Sequence, residues 1–492
     1  MLPQSKSTKI TIILLLILSV LPLAIAFQNH THLNDDTYIT LTFVKNLAQG
    51  NGFVYNYPPA VLGTTTPLLT IIIAVLAVLL PWFDPATVAV FFTVFCWISI
   101  VWVFFLFRQD WELRDWQVVI VGMVLVLTVW INYLGMEAYL FAFLLVLTFS
   151  LFLNGRYLLC GVTTGLLFLT RGEGILLLFL LPGWYGLSHI LKRELIIKHL
   201  VKATGAILIG FCIPIIPWFI YSWFTFGSFL PNTLAAKQAQ TQYAWHPFLL
   251  TLLRDWIPRW ESTYSLPILS ISLWWPMIAL GTTAILLRMR RWLLFVAWIA
   301  LYIFGYSILG VPSYDWYQLP ILFVLKLIFA LGIIEMVKLT GRAKKRPYRL
   351  AMLCIGTVII FLSFSQPAID ALTTFDGDSR GSSYTELSRW VQENTDKNES
   401  IAYIEIGYLG YYTDNQIIDL AGLTMPDVIP YVAQGDFSYS IQKYEPDYLI
   451  YRTDFDWLIG DIRDYPEFES SYRPVATLPG PETTKLIIYK HQ

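Results

Sequence analysis

A series of long apolar segments restricts how this chain can fold more than any other feature. Lipid offers the backbone no hydrogen-bond partner, so segments of this kind cross a membrane as helices. The chain is 56% hydrophobic and 14% charged, whereas soluble domains carry about 25% charged residues. The sequence therefore predicts a polytopic α-helical membrane protein. The apolar segments are 10–27, 64–81, 86–107, 116–131, 137–153, 157–170, 173–188, 201–224, 266–287, 292–309, 317–338 and 349–364.

Lysine and arginine in the short loops predict the orientation. They cluster in the loops 189–202, 288–291 and 338–349, and such loops stay in the cytoplasm. Lys6 and Lys9 precede the first segment, which we interpret as a signal anchor with a cytoplasmic N-terminus. We therefore expect a multi-pass protein of the cell membrane. The first external loop 28–63, the second large external loop 225–265 and the C-terminal tail are then extracytoplasmic.

The number of spans follows from this orientation. Twelve spans would place both termini on one side, so one apolar segment does not cross. Residues 64–81 begin with three threonines and Pro67 and end at Pro81 and Trp82, which suits a re-entrant or interfacial helix. About eleven spans remain. Two alternatives stay open: that 157–170 fails to cross, or that one basic loop misleads.

Charge divides the chain into two domains. From residue 370 onward there are 21 acidic and 9 basic residues, whereas the preceding part has 13 acidic and 24 basic residues. We expect a transmembrane domain over 1–365 and a soluble extracytoplasmic α/β domain over 366–492. A helix over 383–394, with Ser382 or Ser383 and Glu386 as a capping box, precedes the strands. The predicted strands are 401–406, 416–420, 447–451, 475–478 and 485–489.

Two further features have structural interpretations. Trp245, Trp256 and Trp260 lie beside charged residues in the loop 225–265, which predicts an amphipathic helix at the headgroup level. This helix is either an interfacial anchor or a substrate contact. The four cysteines all fall inside apolar segments and show neither a disulfide framework nor a metal-ligand spacing.

Asp35 and Asp36 follow the first apolar segment directly. Neighbouring side chains on a helix diverge by about 100°, so one carboxylate can face a cavity while the other caps the helix. Either is a candidate general base, which must reach the proton it removes. The alternative is that both only stabilise a helix start.

Other charged residues stand at segment ends that face the same side as the Asp pair. Such residues are costly at membrane depth and usually functional. Arg171 and Lys237 suit a phosphate, and a helix opening at Asn232 would add N–H groups. Lys326 lies inside a segment and needs water, a local partner or a substrate phosphate. The remaining outward-facing residues of the set are Glu137, Glu173, Asp315 and Tyr317.

Several motifs together resemble the GT-C fold glycosyltransferases, most of all the terminal arabinofuranosyltransferases and related uncharacterised bacterial proteins. The resemblance covers most of the chain and departs from the family pattern at Leu62 and Gly172. The motifs are Asp35-Asp36-Thr37-Tyr38-Ile39, Asn46-Leu47-Ala48, Gly50-Asn51-Gly52, Gly63-Thr64-Thr65-Thr66-Pro67, Gly135-Met136-Glu137, Arg171-Gly172-Glu173-Gly174, Leu230-Pro231-Asn232-Thr233 with Lys237, and Asp419-Leu420-Ala421-Gly422-Leu423.

The resemblance implies a polyprenyl-phosphate-linked sugar donor and inverting transfer on the outer face to an acceptor glycan, lipid or protein. It implies that Asp35 is the base and that Asp36 assists or holds a divalent metal ion. Glu137 would flank a sugar, and Arg171, Lys237 and Asn232 would hold the donor phosphate. Tyr38, Glu173, Asp315, Tyr317 and Lys326 would line the substrate cavity. No nucleic-acid partner is expected. The competing hypothesis is a transporter or flippase of a lipid-linked substrate.

Overall fold

The computed structural model describes residues 6–31, 33–56, 60–127, 129–191, 193, 197–244, 248–253, 267–341, 346–373 and 380–492. Helices form the part up to Thr373. In chain order they are α1 (Lys6–Gln28), α2 (Asp35–Ala48), α3 (Pro67–Leu79), α4 (Pro85–Leu106), α5 (Asp115–Leu127), α6 (Ala138–Leu153), α7 (Tyr157–Thr170), α8 (Leu177–Leu191), α9 (Ile197–Phe226), α10 (Asn232–Ala244), α11 (Phe248–Thr251), α12 (Pro267–Leu287), α13 (Leu293–Leu309), α14 (Leu319–Gly341) and α15 (Arg346–Thr373). Short 3-10 helices are Ile131–Tyr133, Gly172–Leu176, Arg290–Trp292 and Asp315–Tyr317.

Each predicted apolar segment contains one of these helices. Within the described residues, seven helical stretches are long and apolar enough to cross a membrane, and five shorter apolar helices accompany them. The protein is a multi-pass α-helical membrane protein, as the apolar segments predict. We call the part from α1 to α15 the membrane body.

The segment 64–81 is shorter as a helix than its sequence suggests. Helix α3 has 13 residues, which at 1.5 Å per residue is about 20 Å long, against about 30 Å of hydrocarbon in a bilayer. Helix α5 also has 13 residues, so length does not single out α3 as the segment that fails to cross. The predicted count of eleven spans stays a prediction.

Glycines bring two pairs of helices into backbone contact. A Cβ atom on Gly161 of α7 would lie 2.1 Å from the carbonyl oxygen of Ile207 in α9, and one on Gly281 of α12 would lie 2.0 Å from that of Ile328 in α14. A side chain at either glycine would force the helices apart. Small residues allow helices to approach this closely in membranes, where the hydrophobic effect does not drive helices together.

The C-terminal part is a small α/β domain, as predicted. Its strands are β1 (Ile401–Tyr403), β2 (Ile417–Asp419), β3 (Tyr448–Arg452), β4 (Tyr472–Pro479) and β5 (Lys485–His491), and its helices are α16 (Gly381–Asn394), α17 (Gly407–Tyr412), α18 (Ile429–Val432), α19 (Ser438–Tyr444), α20 (Asp456–Ile459), α21 (Asp461–Asp464) and α22 (Phe468–Ser471), with 3-10 turns at Pro426–Val428 and Thr453–Phe455. The sheet order is β2-β1-β3-β5-β4. Strand β1 pairs parallel with β2 and β3, and β5 pairs antiparallel with β3 and β4.

The two faces of this sheet belong to different cores. Ile401 and Tyr403 of β1 pack in the core that continues into the membrane body. Ala402, between them, packs in a second core inside the C-terminal domain. Side chains alternate across a strand, so one face of the sheet packs against α16 in the core shared with the membrane body, and the other face packs in the domain's second core.

Two local predictions have different outcomes. The capping box is wrong: α16 begins at Gly381, and Arg380 at its cap position makes no side-chain cap hydrogen bond. The helix therefore starts ahead of Ser382 and Ser383. In the second external loop, α10 and α11 are helical, but Trp245, Trp256 and Trp260 lie outside the described residues, so the amphipathic helix stays a prediction.

Candidate active site

A cavity with two chambers lies where α7, α9, α10 and α13 meet. The larger chamber, of about 380 Å³, is lined mainly by apolar side chains such as Phe168, Trp218 and Phe219. The smaller chamber, of about 60 Å³, is lined by Asp36 and the Thr64–Thr66 turn. Residues shared by the two chambers are Thr64, Thr65, Glu137, Thr233, Lys237 and Trp316. An apolar space and a more polar one therefore lie side by side and share part of their wall.

Arg171 organises the charges between the chambers. Its Nη1 lies 3.1 Å from Glu137 Oε1, and its Nη2 lies 2.9 Å from Glu173 Oε1 and 3.2 Å from the Tyr306 hydroxyl. Tyr306 also donates a hydrogen bond to Glu173. Because Arg171 is buried and follows the end of α7, these bonds fix Glu137 at the chamber boundary. A buried charge requires such partners.

Lys237 of α10 presents its ammonium to both chambers. Its Nζ donates to the Tyr317 hydroxyl at 3.2 Å and lies 5.2 Å from the centre of the Tyr314 ring and 5.4 Å from that of Trp316. Tyr314 and Trp316 stack at 4.5 Å, so the aromatic wall is rigid. Cation–π contacts of this kind hold an ammonium in place while an anion approaches it.

The two neighbouring aspartates face different parts of the molecule. Asp36 is half-buried and lines the polar chamber. Asp35 is buried, and its carboxylate oxygens accept the backbone N–H groups of Gly407 and Tyr408, each at 3.0 Å. These two N–H groups open α17 of the C-terminal domain. One aspartate therefore faces the cavity, and the other caps a helix that is distant in sequence.

Burial raises the pKa of Asp35 to about 7, and the negative charge of Glu405 acts in the same direction. The positive charge of Arg380 and the hydrogen bond from the Tyr408 N–H oppose this rise. Arg380 Nη1 lies 2.5 Å from Glu405 Oε1, and Arg452 also pairs with Glu405. Charged side chains of the C-terminal domain thus surround the N-terminal end of α2.

Other predicted site residues lie away from both chambers. Asn232 begins α10, as predicted, but its side chain donates to the carbonyl oxygens of Gly422 and Leu423 at 2.8 and 3.1 Å. The hydroxyl of Tyr38 lies 3.1 Å from that of Tyr412. Both residues bind the C-terminal domain to the membrane body. Asp315 is exposed. Lys326 is fully buried in α14, with its Nζ 5.7 Å from the centre of the Phe364 ring.

The cavity also contains residues that sequence reasoning did not select. Thr64 and Thr65 belong to a motif that is visible in the sequence, but nothing there placed them opposite α10. Thr233 is buried, and its Oγ1 has no hydrogen-bond partner among the described residues. Trp316 lies directly between the predicted site residues Asp315 and Tyr317, at the same segment start. Tyr306 lies inside an apolar segment, where a tyrosine does not indicate a functional role.

The side chains at Asp36 do not form a metal site by themselves. Asp36 and Glu137 are the carboxylates that line the polar chamber, and Glu137 is bonded to Arg171. Among the described residues, no three His, Cys, Asp or Glu side chains form a group that could hold a metal ion. Zinc normally has three or four protein ligands. The side chains present at Asp36 therefore do not make a zinc site.

The backbone resembles solved membrane proteins along nearly its whole length. ArnT from Cupriavidus metallidurans bound to undecaprenyl phosphate matches with a TM-score of 0.62 and 13% identity, covering 97% of each chain. The apo state of the same protein matches with a TM-score of 0.60 and 12% identity, covering 98% of each chain. The protein has the GT-C fold. At this identity the likeness shows the fold alone.

A third structure extends the comparison across this fold. The Archaeoglobus fulgidus oligosaccharyltransferase, solved in complex with Zn and sulfate, matches with a TM-score of 0.54 and 12% identity, covering 95% of this chain and 72% of its own. Residues 374–489 match a family model described as Domain of unknown function (DUF8728). No curated protein sequence matches the chain. The GT-C fold is therefore recognised from structure, and the C-terminal domain matches a family without an assigned function.

Proposed function

We propose that this protein is a membrane glycosyltransferase that transfers a sugar from a polyprenyl-phosphate donor to an acceptor hydroxyl, with inversion at the anomeric carbon. One observation carries the proposal: an apolar chamber and a polar chamber join at Lys237 and Glu137, and Asp36 lines the polar one. A lipid-linked sugar has the same division into a long apolar chain, a phosphate and a polar ring.

The larger chamber suits the lipid part of the donor. Phe168, Trp218 and Phe219 line it, and several prenyl units would be in contact with these rings. Lys237 stands where the two chambers meet and supplies the positive charge for the donor phosphate. ArnT, which shares the fold, was solved with undecaprenyl phosphate, which supports a donor of this class.

Arg171 has a different role in this proposal from the phosphate contact that the sequence predicts. Its guanidinium already bonds Glu137, Glu173 and Tyr306, so a phosphate would have to displace a carboxylate. Arg171 instead holds Glu137 at the edge of the polar chamber. Glu137 can then accept hydrogen bonds from sugar hydroxyls, and Thr233 offers a further polar contact.

Asp36 is the proposed general base. It would take the proton of an acceptor hydroxyl as the hydroxyl oxygen bonds to the anomeric carbon. The bond between the anomeric carbon and the phosphate oxygen breaks at the same time, and the polyprenyl phosphate leaves with the electron pair. Attack from the side opposite the phosphate inverts the anomeric carbon. Asp35, which faces α17, would position Asp36 through the backbone of α2.

The proposed compartment is the outer face of the cell membrane. The N-terminus and the basic loops would be cytoplasmic, whereas the two-chambered cavity and the C-terminal domain would be extracytoplasmic. The C-terminal domain forms hydrogen bonds with Asp35 at the start of α2, so it lies on the same side as the cavity. It would cover the polar chamber and limit which acceptors enter.

Transfer from labelled polyprenyl-phosphate sugars in membranes tests this function. We expect Asp36→Asn to lower the transfer rate at least ~100-fold, because general bases contribute about 10² to 10⁴ to the rate. Asp35→Asn is the matched control, since the same change is made one residue away, and it should retain measurable transfer. Full activity of Asp36→Asn with complete loss in Asp35→Asn would assign the base to Asp35.

The donor assignment needs a second variant. Lys237→Gln should raise KM for the donor by about tenfold, because one charged contact to phosphate is lost. Lys237→Arg keeps the charge and should recover part of the affinity. An unchanged KM in Lys237→Gln would contradict the phosphate role. Absence of transfer from every donor, with folded protein in the membrane, would contradict the glycosyltransferase function.

A further inference from the structure

A second cavity lies at the opposite end of α7 from the candidate active site. It has a volume of about 490 Å³ and lies between the beginning of α7, the beginning of α9 and Tyr185 of α8. Arg171 follows the last residue of α7, and Arg156 precedes the first. The 14 residues of α7 separate the two by about 21 Å.

The helix packing explains why this space exists. Helices α7 and α9 are in backbone contact, since a Cβ on Gly210 would lie 2.2 Å from the carbonyl oxygen of Leu158. Beyond this contact, Gly155, Ala203 and Ala206 line the cavity. These residues have minimal side chains, so they leave room where larger residues would fill the gap between the helices.

The charge of the cavity is positive. Arg156, His199 and Lys202 line it, and no acidic side chain of the described residues does. Within the described residues, neither Arg156 nor Lys202 forms an ion pair. Tyr157 and Tyr185, whose ring centres lie 5.7 Å apart, add hydroxyl groups. Arginine and lysine that converge in this way are suited to a phosphate group.

The cavity is also continuous with the apolar surface of the membrane body. Leu158 and Leu159 line it and are 47% and 48% exposed, and Val201 of α9 is 64% exposed nearby in sequence. In the orientation predicted from the basic loops, this end of the protein is cytoplasmic. Anionic lipids give the cytoplasmic leaflet its negative potential, and basic pockets between helices bind their headgroups there.

We propose that this cavity binds the phosphate-containing headgroup of an anionic phospholipid. Arg156 and Lys202 contact the phosphate, the tyrosine hydroxyls contact the polar headgroup, and the acyl chains lie against Leu158 and Leu159. The site is separate from the two-chambered cavity and does not depend on the proposed glycosyltransferase activity. Its occupation would join α7, α8 and α9 at the end remote from Arg171.

Native mass spectrometry of the purified full-length protein tests this site. Phosphatidylglycerol should bind more tightly than phosphatidylcholine. Arg156→Gln and Lys202→Gln should each weaken phosphatidylglycerol binding by roughly fivefold. Lys198→Gln is the matched control, because Lys198 is an exposed lysine near the start of α9 that does not line the cavity. This variant should bind phosphatidylglycerol like the unmodified protein.

Three results would overturn the proposal. The first is equal binding of the two lipids, and the second is equal phosphatidylglycerol binding by all variants. The third is displacement of the lipid by inorganic phosphate alone, which would make this a site for free phosphate. Arg156→Lys keeps the charge and should retain most of the binding. A loss as large as that of Arg156→Gln would contradict a contact that depends on the positive charge.

Discussion

Two aspartates that are neighbours in the sequence, Asp35 and Asp36, have different surroundings in the structure. Asp35 accepts two backbone N–H groups from the C-terminal domain, and Asp36 lines the polar chamber. Successive side chains on a helix point about 100° apart, so α2 cannot direct both carboxylates into one cavity. The proposed base and the residue proposed to position it are therefore adjacent in sequence but have different surroundings.

The raised pKa of Asp35 predicts how stability depends on pH. Its pKa in the folded protein is about 7, above the ordinary value of 3.8, so folding favours the protonated form. This stabilisation is complete below pH 3.8 and is lost as the pH rises through about 7. We expect the melting temperature of the unmodified protein to fall, relative to that of Asp35→Asn, between about pH 4 and about pH 7 and to level off above that.

The measurement is thermal unfolding of both proteins in detergent across this pH range. Glu405, Arg380 and Asp36 also act on Asp35, so the difference between the two proteins isolates the contribution of Asp35. Asp464→Asn, at an exposed position of the C-terminal domain, is the control for general effects of removing a carboxylate. Parallel pH profiles for all three proteins would show that Asp35 does not titrate in this range.

The same residues show what sequence reasoning can and cannot reach. Glu137, Arg171, Glu173, Lys237 and Tyr317, which stand at the ends of apolar segments, all line the larger chamber. A charge at membrane depth needs a polar cavity or a partner, so such positions draw attention in the sequence. The roles of Asp35, Tyr38 and Asn232 depended on the docking of a domain more than 170 residues away, which local patterns do not encode.

At the scale of elements, α17 is a main link between the membrane body and the C-terminal domain. Its first N–H groups bind Asp35, and the Tyr411 carbonyl accepts a hydrogen bond from Lys45 Nζ at 3.0 Å. A Cβ on Gly407 would lie 1.9 Å from the carbonyl oxygen of Asp35, and one on Gly410 would lie 2.0 Å from the Tyr55 hydroxyl. This short helix therefore needs glycine on the side that contacts the first external loop.

Gly407→Ala should separate α17 from α2. We expect a loss of ~1–3 kcal/mol, because an added methyl group in a filled space costs about this much. Hydrogen–deuterium exchange should become faster in Gly407–Tyr412, since the amides of Gly407 and Tyr408 lose Asp35 as their acceptor. Transfer activity should fall with it, because Asp36 is positioned by the same contact.

The control for this variant is Gly205→Ala in α9. A Cβ at Gly205 would meet no atom within 4 Å, and alanine favours a helix over glycine by about 1 kcal/mol. Its stability and exchange should stay the same or improve slightly. Unchanged exchange of Gly407–Tyr412 in Gly407→Ala would show that the contact with Asp35 does not hold α17 in place.

For the molecule as a whole, the apolar segments determine more of the fold than the polar residues do. Every predicted segment contains a helix because a hydrocarbon layer restricts both length and backbone conformation. The strands of the C-terminal domain were also located within a few residues, since short apolar runs mark them in the sequence. Ile401–Tyr403 and Ile417–Asp419 are buried at every position. The order of the strands and the placement of the domain over α2 depend on contacts distant in sequence.

The two ends of the membrane body should lie on opposite sides of the membrane. The candidate active site and the C-terminal domain occupy one end, and the cavity with Arg156 and Lys202 occupies the other. We expect Trp457→Cys, at a position that is 61% exposed in the C-terminal domain, to react with a membrane-impermeant maleimide in intact spheroplasts. Lys198→Cys, at the opposite end of the molecule, should react only after permeabilisation.

This labelling requires a protein whose native cysteines do not react with the maleimide. Cys212 and Cys354 are exposed and are replaced by alanine, whereas Cys96 and Cys160 are buried and serve as an internal test of specificity. Labelling of Lys198→Cys alone in intact spheroplasts would invert the orientation and with it the proposed outer-face reaction. Equal labelling of both variants before permeabilisation would contradict the placement of the two ends on opposite sides. The expected pattern would place Asp36 and Lys237 where a lipid-linked donor and an extracytoplasmic acceptor can meet.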